Sequence, residues 1–362
     1  MIAKDEKFKR ALVWLPAKLY ELAVRLRVAV YETGYRKPRR LAATVISVGN
    51  LTLGGTGKTP LVEYIARYLH QEARRVAILT RGYGRKSDTL QTLNVPRHSD
   101  NREAINHPSY QEVGDEPLML ARRLPDVPIV VHKDRYEAGG RAARLFGADV
   151  LVLDDAYQHL RLARDLNLLL LDASDPFGGF EMAPMGRLRE PLYGIKRADA
   201  IIVTRADRPF DQAQVQAIIR HFCGDQIPVM YMTSGITGLR HLETGVIYEP
   251  RQFSGWKAAV LCGIGNPRAF AEDILQAGID IVSENFFRDH HPFTQADLDR
   301  ATTAARQTAA DLIITTEKDA MRLEGLRQGA VPIYVAEMGI ESDDEIRLKS
   351  LLLKVVTQKR EP

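Results

Sequence analysis

The sequence predicts an α/β protein whose core is a largely parallel β-sheet. Between about residues 44 and 222, short runs rich in Val, Ile and Leu alternate with segments in which apolar residues recur at helical spacing. These runs are apolar throughout, which is typical of strands that helices cover on both faces. A glycine-rich segment separates the first run from the first helical stretch, as in a strand–turn–helix unit.

The length of 362 residues corresponds to about two domains. We expect a first series of strands at 44–48, 76–80, 128–132, 150–153, 166–172 and 200–204, and a second at 258–262, 279–285, 312–316 and 333–335. Between the two series, Ser234-Gly235, Thr237-Gly238 and Thr244-Gly245 predict the turns of a β-ribbon. The predicted organisation is therefore an N-terminal segment (1–40), an α/β core (41–226), a β-ribbon linker (227–250) and a smaller α/β domain (251–362).

The basic character of the chain is confined to its N-terminus. Residues 1–40 hold eleven Lys or Arg against four Asp or Glu, whereas the remaining residues hold 39 basic and 42 acidic side chains. With 45% hydrophobic and 27% charged residues, the composition is that of a globular protein, and we expect no nucleic-acid partner and no obligate protein partner. Cys223 and Cys262 lack metal-ligand spacing and indicate a reducing compartment.

An amphipathic helix is predicted over residues 12–30. If regular helix begins at Pro16 the proline is tolerated, and otherwise it kinks the helix. Basic residues interrupt the apolar residues, so no run spans a bilayer. The helix either lies in a membrane interface or packs on its own domain. Its apolar arc consists of Leu12, Leu15, Leu19, Leu22, Leu26 and Val30.

The glycine-rich segment 47–60 reads SVGNLTLGGTGKTP and predicts a phosphate-binding loop. Glycines let backbone N–H groups converge on one point, and the following helix adds its positive end, so an anion is expected there. Lys58 supplies a point charge for the outer phosphates of ATP, and the Thr59 hydroxyl is a ligand for Mg²⁺. The usual first glycine is replaced by Thr52. The predicted nucleotide-binding residues are Thr52, Leu53, Gly54, Gly55, Thr56, Gly57, Lys58 and Thr59.

Two carboxylates, Asp154 and Asp155, end the apolar run 151–153. Carboxylates at the carboxyl end of such a strand hold Mg²⁺ directly or through water. Gln158 and His159 follow and are suited to orienting a ligand or water. The alternative is that the Asp-Asp pair caps a helix.

Asp115 and Glu116 open another predicted helix, in Gly114-Asp115-Glu116-Pro117. A carboxylate there offers a general base for a hydroxyl nucleophile. Capping of the helix by Asp115 is the alternative reading.

Arginines are paired in Arg81-Gly82-Tyr83-Gly84-Arg85 and in a second loop that holds Arg187 and Arg189. Their forked donors suit phosphate, although either loop could simply be solvated. Asp289-His290-His291 lacks a third ligand at metal spacing, so a histidine beside an aspartate is expected to tune proton transfer instead of binding zinc.

Seven motifs in order closely resemble the tetraacyldisaccharide 4′-kinase family of lipid A biosynthesis, over nearly the whole chain. They are SVGNLTLGGTGKTP, TRGYGR, VGDEP, LDDAYQHLRLARD, MGRLREP, FRDHHPF and TTEKDA. The resemblance implies a P-loop-type fold and transfer of the ATP γ-phosphate to the 4′-hydroxyl of a tetraacylated glucosamine disaccharide 1-phosphate, which gives lipid IV-A.

The resemblance also implies roles for single residues. Lys58 and Thr59 would serve ATP and Mg²⁺, Asp155 and Gln158 would complete the metal site, and Asp115 would be the catalytic base with His290 as its partner. Glu116, Asp154, His159, Arg81, Arg187 and Arg189 would support the site or bind the acceptor. The N-terminal helix would associate with the cytoplasmic face of the inner membrane.

Two other classes of protein share parts of this pattern. Dimeric partitioning and metallochaperone ATPases carry an extra signature lysine in the loop, where this chain has Leu53. A membrane-associated nucleotide-binding adaptor, or a P-loop ATPase without a lipid acceptor, would have no use for Asp115 or His290.

Overall fold

The computed structural model describes residues 2–83, 85, 88–94 and 110–358. Gly84 of the predicted arginine loop and the side chain of Leu12 lie outside the described part. The helices are α1 Ile2–Glu32, α2 Lys58–Gln71, α3 Tyr110–Val113, α4 Asp115–Arg123, α5 Arg135–Phe146, α6 Gln212–Cys223, α7 Pro267–Gln276, α8 Gln295–Gln307, α9 Glu317–Leu323 and α10 Glu345–Gln358. The strands are β1 Thr44–Asn50, β2 Val76–Thr80, β3 Gln91–Leu93, β4 Ile129–Val131, β5 Val150–Leu153, β6 Leu166–Asp172, β7 Ala200–Thr204, β8 Val229–His241, β9 Ile247–Tyr248, β10 Lys257–Cys262, β11 Asp280–Phe286, β12 Leu312–Thr316 and β13 Ile333–Glu341.

The predicted α/β class with a largely parallel sheet is confirmed. The described strands form one 13-stranded sheet in the order β11-β10-β12-β13-β8-β7-β6-β1-β5-β2-β4-β3, with β9 paired to β8. Its antiparallel pairs are β13 with β8, β8 with β9, and β4 with β3. We call β1 to β7 with their helices the first half and β10 to β13 with theirs the second half.

Strand β8 joins the halves. Its first residues pair in parallel with β7, from Val229 to Met232, and its later residues pair antiparallel with β13, from Thr233 to His241. The strand therefore carries the second half beyond the carboxyl edge of the first half and reverses its direction. As a result, the carboxyl ends of the second-half strands point back towards the carboxyl edge of the first half.

The turns predicted for the linker are only partly present. Ser234-Gly235 and Thr237-Gly238 lie inside β8, because β13 supplies backbone partners along this stretch. Thr244-Gly245 lies in the connection between β8 and β9.

Helices cover both faces of the first half. On one face, Ile46 and Val48 of β1 pack with Leu61 and Ile65 of α2 in a buried apolar cluster. On the other face, Val45 packs with residues of α5. Because both faces are covered, neighbouring positions of β1 are all buried, which explains its uninterrupted apolar sequence.

The last helix returns to the first half. Leu348, Leu352 and Val356 of α10 are buried in the same cluster as α2, and Tyr64 of α2 donates a hydrogen bond of 2.7 Å to Glu345. Helix α10 therefore packs apart from the rest of residues 251–362. The division of the chain at 227–250 stays a prediction.

Helix α1 is continuous through Pro16 for 31 residues, so it is longer than predicted. Ala17 and Val28 on its inner face are each only 3% exposed. Within the described residues, no helix has both the length and the apolarity needed to cross a membrane. The outer face is an apolar stripe with exposures from 53% to 60%, formed by Leu15, Leu19, Leu22 and Leu26.

Candidate active site

The glycine-rich loop connects β1 to α2 at the carboxyl edge of the first half. Gly57 caps the helix in a left-handed conformation with φ of 76°, which glycine adopts without the strain that a side chain brings. A Cβ on Gly54 would lie 2.6 Å from Nη2 of Arg187. Gly54 also has a positive φ, of 108°, so both positions favour glycine through their backbone conformation. Lys58 Nζ lies 3.3 Å from Asn50 Oδ1 and 3.4 Å from the Gly54 carbonyl.

Asp155 is held by two cations beside the loop. Arg189 donates to both of its carboxylate oxygens, at 2.7 and 3.1 Å, and Lys58 Nζ lies 3.7 Å from Oδ1. Burial raises the pKa of Asp155, but the charge of Lys58 and the hydrogen bond from Arg189 outweigh it and lower the pKa to about 2. The backbone of Asp155 has φ of 46°, an unfavourable region for a non-glycine residue. No helix follows Asp155, so helix capping does not account for the Asp-Asp pair.

Asp154 and Gln158 place unpartnered oxygens near this cluster. Asp154 is 1% exposed; its Oδ2 accepts a hydrogen bond from Thr80 at 3.3 Å, whereas its Oδ1 has no partner. Burial and the nearby charges of Glu116 and Asp155 raise the pKa of Asp154. Gln158 Nε2 donates to Asn50 and Glu190, which leaves its Oε1 without a partner.

These oxygens fit Mg²⁺, which prefers oxygen ligands and binds through one or two carboxylates plus substrate phosphates. Thr59, Asp155 and Gln158 are the predicted protein ligands, and Thr59 is half-buried on the first turn of α2. Among the described residues, no group of three or more His, Cys, Asp or Glu is placed to hold a metal by itself.

Asp115 is the first residue of α4, and its side chain contacts the second half. Gly114 is the N-cap, and Asp115 Oδ1 accepts a hydrogen bond of 3.1 Å from the Glu116 N–H, so Asp115 also satisfies one backbone donor of the first helical turn. Its Oδ2 contacts Arg322 of α9 and lies 3.3 Å from Nδ1 of His290. Burial raises the pKa of Asp115, but the His290 hydrogen bond and the charges of Arg322 and Lys318 outweigh it and lower the pKa to about 2.

His290, and not His291, faces Asp115. The pKa of His290 is raised by its hydrogen bond to Asp115, against the effect of burial. His291 lies 3.1 Å from Asp297 and stacks on Phe287. The two adjacent histidines therefore contact different carboxylates. His290 contacts Asp115, the candidate base, whereas His291 contacts Asp297, which takes part in the capping box of α8.

A family model described as tetraacyldisaccharide-1-P 4′-kinase matches residues 9–357. The chain belongs to this family. Curated tetraacyldisaccharide 4′-kinases include one from Halothermothrix orenii, 39% identical over 316 residues that cover 84% of this chain and 80% of the relative. One from Geobacter sulfurreducens is 37% identical over 346 residues, 96% of this chain and 93% of the relative. A crystal structure of LpxK from Aquifex aeolicus in complex with ATP is 31% identical with a TM-score of 0.73, covering 96% of this chain and 99% of that one.

The three predicted arginines occupy different positions. Exposed Arg81 and half-buried Arg189 line one cavity of about 320 Å³. Arg187 crosses the glycine-rich loop, where it donates to the Leu53 carbonyl at 2.8 Å and to Asp175 at 3.2 Å. Arg187 is thus already engaged in holding the loop.

The same cavity brings together the sheet edge and the N-terminal helix. Glu116, Asp154, Asp155, Gln158 and His159 line it, and α1 forms a wall with Tyr20, Val24, Arg27 and Val28. Burial and the charges of Arg135 and Arg164 lower the pKa of His159 to about 4, so its imidazole is neutral at pH 7. The cavity is therefore bounded by carboxylates, cationic side chains and one uncharged imidazole.

Sequence reasoning missed several contributors to the site. Arg205, at the end of β7, contacts Asp172 and donates to the Gly55 carbonyl of the loop at 3.3 Å. Buried Arg135 donates to the Asp154 carbonyl at 3.2 Å. Lys318 of α9 contacts Glu116 of α4. The position of Arg205 directly after a predicted strand could have indicated its role at the sheet edge. No local sequence pattern predicts that α9 contacts α4.

Proposed function

We propose that the protein transfers the γ-phosphate of ATP to the 4′-hydroxyl of a tetraacylated glucosamine disaccharide 1-phosphate, which forms lipid IV-A. Membership of the family supports the reaction. The observation that carries it is that one cavity is lined both by Asp155, which pairs with Lys58 of the phosphate loop, and by Glu116, the neighbour of Asp115 in a separate carboxylate pair. A nucleotide-binding protein without an acceptor would need only the first of these.

The glycine-rich loop would hold the nucleotide. Its backbone N–H groups and the N-terminus of α2 favour the phosphates, and Lys58 places its charge on the outer ones. Thr59, Asp155 and Gln158 would hold Mg²⁺. When bound, the ion neutralises charge on the β- and γ-phosphate oxygens. Arg189 already pairs with Asp155 and keeps this carboxylate ionised.

Asp115 is proposed as the base. It accepts the proton of the 4′-hydroxyl as the hydroxyl oxygen forms its bond to the γ-phosphorus and the bond to the bridging oxygen of ADP breaks. The transition state of phosphoryl transfer is loose and requires little activation of the nucleophile, so a carboxylate with a low pKa is adequate. His290 is proposed to orient it, and Glu116, Arg81, Arg187, Arg189, Asp154 and His159 to support the site.

Helix α1 is proposed to seat the protein on the cytoplasmic face of the inner membrane. Its inner face lines the cavity, whereas its outer face exposes Leu15, Leu19, Leu22 and Leu26 to the surroundings. A lipid acceptor with four acyl chains stays in the membrane, so an interfacial helix beside the cavity brings the site to the substrate. The inner-membrane surface and the lipid disaccharide are thus the proposed partners.

The kinase activity is tested by incubating the purified protein with ATP, Mg²⁺ and the tetraacyl disaccharide 1-phosphate. We expect a phosphorylated disaccharide from the wild type and a rate at least ~100-fold lower from Lys58→Ala, because the variant lacks the cation on the transferring phosphoryl group. No product above that of Lys58→Ala would refute the proposal. ATP hydrolysis that does not depend on the acceptor would favour the ATPase alternative.

The membrane proposal is tested with a variant that changes only the outer face of α1, Leu19→Gln/Leu22→Gln/Leu26→Gln. Each leucine removed from the interface costs roughly 1.5–3 kcal/mol, so binding to anionic vesicles should fall at least ~10-fold. The control is Leu275→Gln/Ile346→Gln, since these residues are apolar side chains on other helices that are at least as exposed as Leu22. Equal vesicle binding by both variants would place the membrane contact elsewhere.

A further inference from the structure

Arg322 is a buried arginine that reaches from the second half to the proposed base of the first half. Its side chain is only 4% exposed, and its Nη2 contacts Asp115 Oδ2. The same Nη2 lies 2.9 Å from Nδ1 of His290. One guanidinium nitrogen therefore touches both the proposed base and its proposed partner.

The guanidinium of Arg322 is fixed from behind. Its Nη1 lies 3.0 Å from Asp319 Oδ1 and 3.4 Å from the Gly263 carbonyl. Asp319 is in turn held by the Thr316 hydroxyl at 2.7 Å and by the Gly263 N–H at 2.9 Å. Because residues at the carboxyl ends of β10 and β12 make these bonds, the position of Arg322 follows from the packing of the second half.

We propose that Arg322 is a positioning residue for phosphoryl transfer, which holds the Asp115 carboxylate ionised and aimed in one direction. The inference rests on the proposed kinase activity and on Asp115 as its base. Arg322 acts through Asp115 and touches neither ATP nor the acceptor. Since Arg322 belongs to the second half, the base is correctly placed only when the two halves are packed together.

The arrangement of His290 supports this role. Its Nδ1 donates to Asp115 Oδ2 at 3.3 Å when it carries a proton, and accepts from Arg322 at 2.9 Å when it does not. In either protonation state of His290, Arg322 keeps a contact with Asp115. The carboxylate is thereby held even when the histidine is not donating to it.

A purely structural link between the same helices already exists at the surface. Arg122 of α4 pairs with Glu324, which directly follows α9, and their side chains are 45% and 49% exposed. Joining the helices therefore does not require a buried arginine on Asp115. The charge environment of Asp115 also comprises Lys318 and Asp319 of α9, His290 and Asp289 of the loop after β11, and Glu116 of its own helix.

The test compares Arg322→Gln, Arg322→Lys and Arg122→Gln in the wild-type background, and Arg322→Gln in an Asp115→Ala background. We expect Arg322→Gln to lower kcat roughly 10- to 100-fold, with both KM values within about threefold of wild type, because misplacing a catalytic group slows the chemical step. Arg322→Lys keeps the charge and should recover most of the rate. Arg122→Gln should behave as wild type.

The double variant separates positioning from structure. If Arg322 acts through Asp115, Arg322→Gln should change the residual rate of Asp115→Ala less than about twofold. An equal loss in both backgrounds, or wild-type kcat in Arg322→Gln, overturns the inference. If Arg322→Gln does not fold, as judged by its thermal unfolding midpoint, Arg322→Lys decides alone. A hundredfold loss of kcat in Arg322→Lys with a normal midpoint then overturns the inference.

Failure of the proposed function gives a different result. A wild type that produces no phosphorylated disaccharide refutes the kinase, and an Asp115→Ala variant with normal kcat refutes the base. A strong loss in Asp115→Ala refutes the role of Arg322 alone when Arg322→Gln either has normal kcat or lowers the rate equally in both backgrounds.

Discussion

The two carboxylates at opposite ends of the proposed site, Asp155 and Asp115, are held in place by different parts of the molecule. Asp155 is fixed by Lys58 and Arg189, which both belong to the first half. Asp115 is also in the first half, but Arg322 and His290, which fix it, come from the second half. The ion pairs of Asp155 at the proposed nucleotide end therefore lie within the first half, whereas those of Asp115 at the proposed acceptor end join the two halves.

This difference separates binding from chemistry. The side chains that fix the proposed nucleotide loop all belong to the first half, so we expect ATP binding to depend less on the packing between the halves than the chemical step does. A base held across the boundary is competent only in the packed arrangement, which also limits wasteful transfer of phosphate to water. The following predictions test the distinction, beginning with the largest expected effect.

Removing the Asp115 carboxylate should slow the chemical step, whereas removing the Asp155 carboxylate should also weaken nucleotide binding. We expect Asp115→Ala to lower kcat at least ~100-fold, the low end for a general base, while the Kd for ATP with Mg²⁺ stays near wild type. Asp155→Ala should weaken ATP binding as well, because the variant lacks a proposed Mg²⁺ ligand. Steady-state kinetics and equilibrium nucleotide binding measure the two effects. Asp126→Ala, beyond the end of α4, is the neutral control, and a matching loss of ATP affinity in both active-site variants would contradict the separation.

A buried ion-pair cluster should hold the halves together. Arg123 of α4 makes two hydrogen bonds of 2.6 Å to Glu317 of α9, one of 2.6 Å to Glu63 of α2 and one of 2.9 Å to the Met338 carbonyl of β13. Arg123→Met leaves the buried Glu317 carboxylate unpaired, although Glu63 keeps its pair with Arg67 at 2.8 Å. Leaving one member of a buried pair without its partner costs about 3–5 kcal/mol in the free energy of unfolding.

The matched control for Arg123 is Arg122→Met, which breaks the exposed pair with Glu324. That pair should contribute less than ~1 kcal/mol. Urea unfolding measures both variants. Similar small losses in the two would show that the buried cluster does not stabilise the boundary.

The smallest expected effect is on the pH dependence of the free energy of unfolding, and it arises from His159 in the first half. Burial and neighbouring arginines disfavour the charged form of His159 and lower its pKa from the ordinary value of 6.5 to about 4 in the folded protein. Between these two pH values the unfolded chain binds more protons than the folded protein. The contribution of His159 to the free energy of unfolding is therefore fully present above about pH 6.5 and is lost as the pH decreases towards 4. Between pH 7.5 and 5 this loss is about 2 kcal/mol.

His159→Gln should remove that part of the pH dependence of the unfolding free energy. His221→Gln, at an exposed histidine of α6, should keep the wild-type dependence. Identical pH profiles for wild type and His159→Gln would mean that His159 is not held neutral.

The parts of the molecule that local pattern determines could be predicted from the sequence. Strands β2, β5, β6, β7 and β12 begin and end where expected, because each is a short apolar run bounded by polar residues and turns. The phosphate loop and Asp155 meet because β1 and β5 are neighbouring parallel strands whose carboxyl ends share an edge. In the same way, the helical pattern identified the leucines that α1 leaves exposed.

The contacts between the halves could not be predicted in this way. The meeting of α9 with α4 depends on the length of β8 and on its antiparallel pairing with β13. The glycines at 235 and 238 suggested turns, but pairing with a strand about 100 residues later overrides that local preference. Pro16 lies inside α1, where the sequence left a helix start or a kink open.

The return of α10 to α2 also fixes the order in which the protein can mature during synthesis. Strands β1 to β7 leave the ribosome first, but the apolar cluster that contains α2 is complete only when Leu348, Leu352 and Val356 have been made. Strand β7 likewise waits for β8 to pair with its open edge. The nascent first half therefore exposes apolar surface and a strand edge until the last helix is translated, and such surfaces are prone to aggregation during that interval.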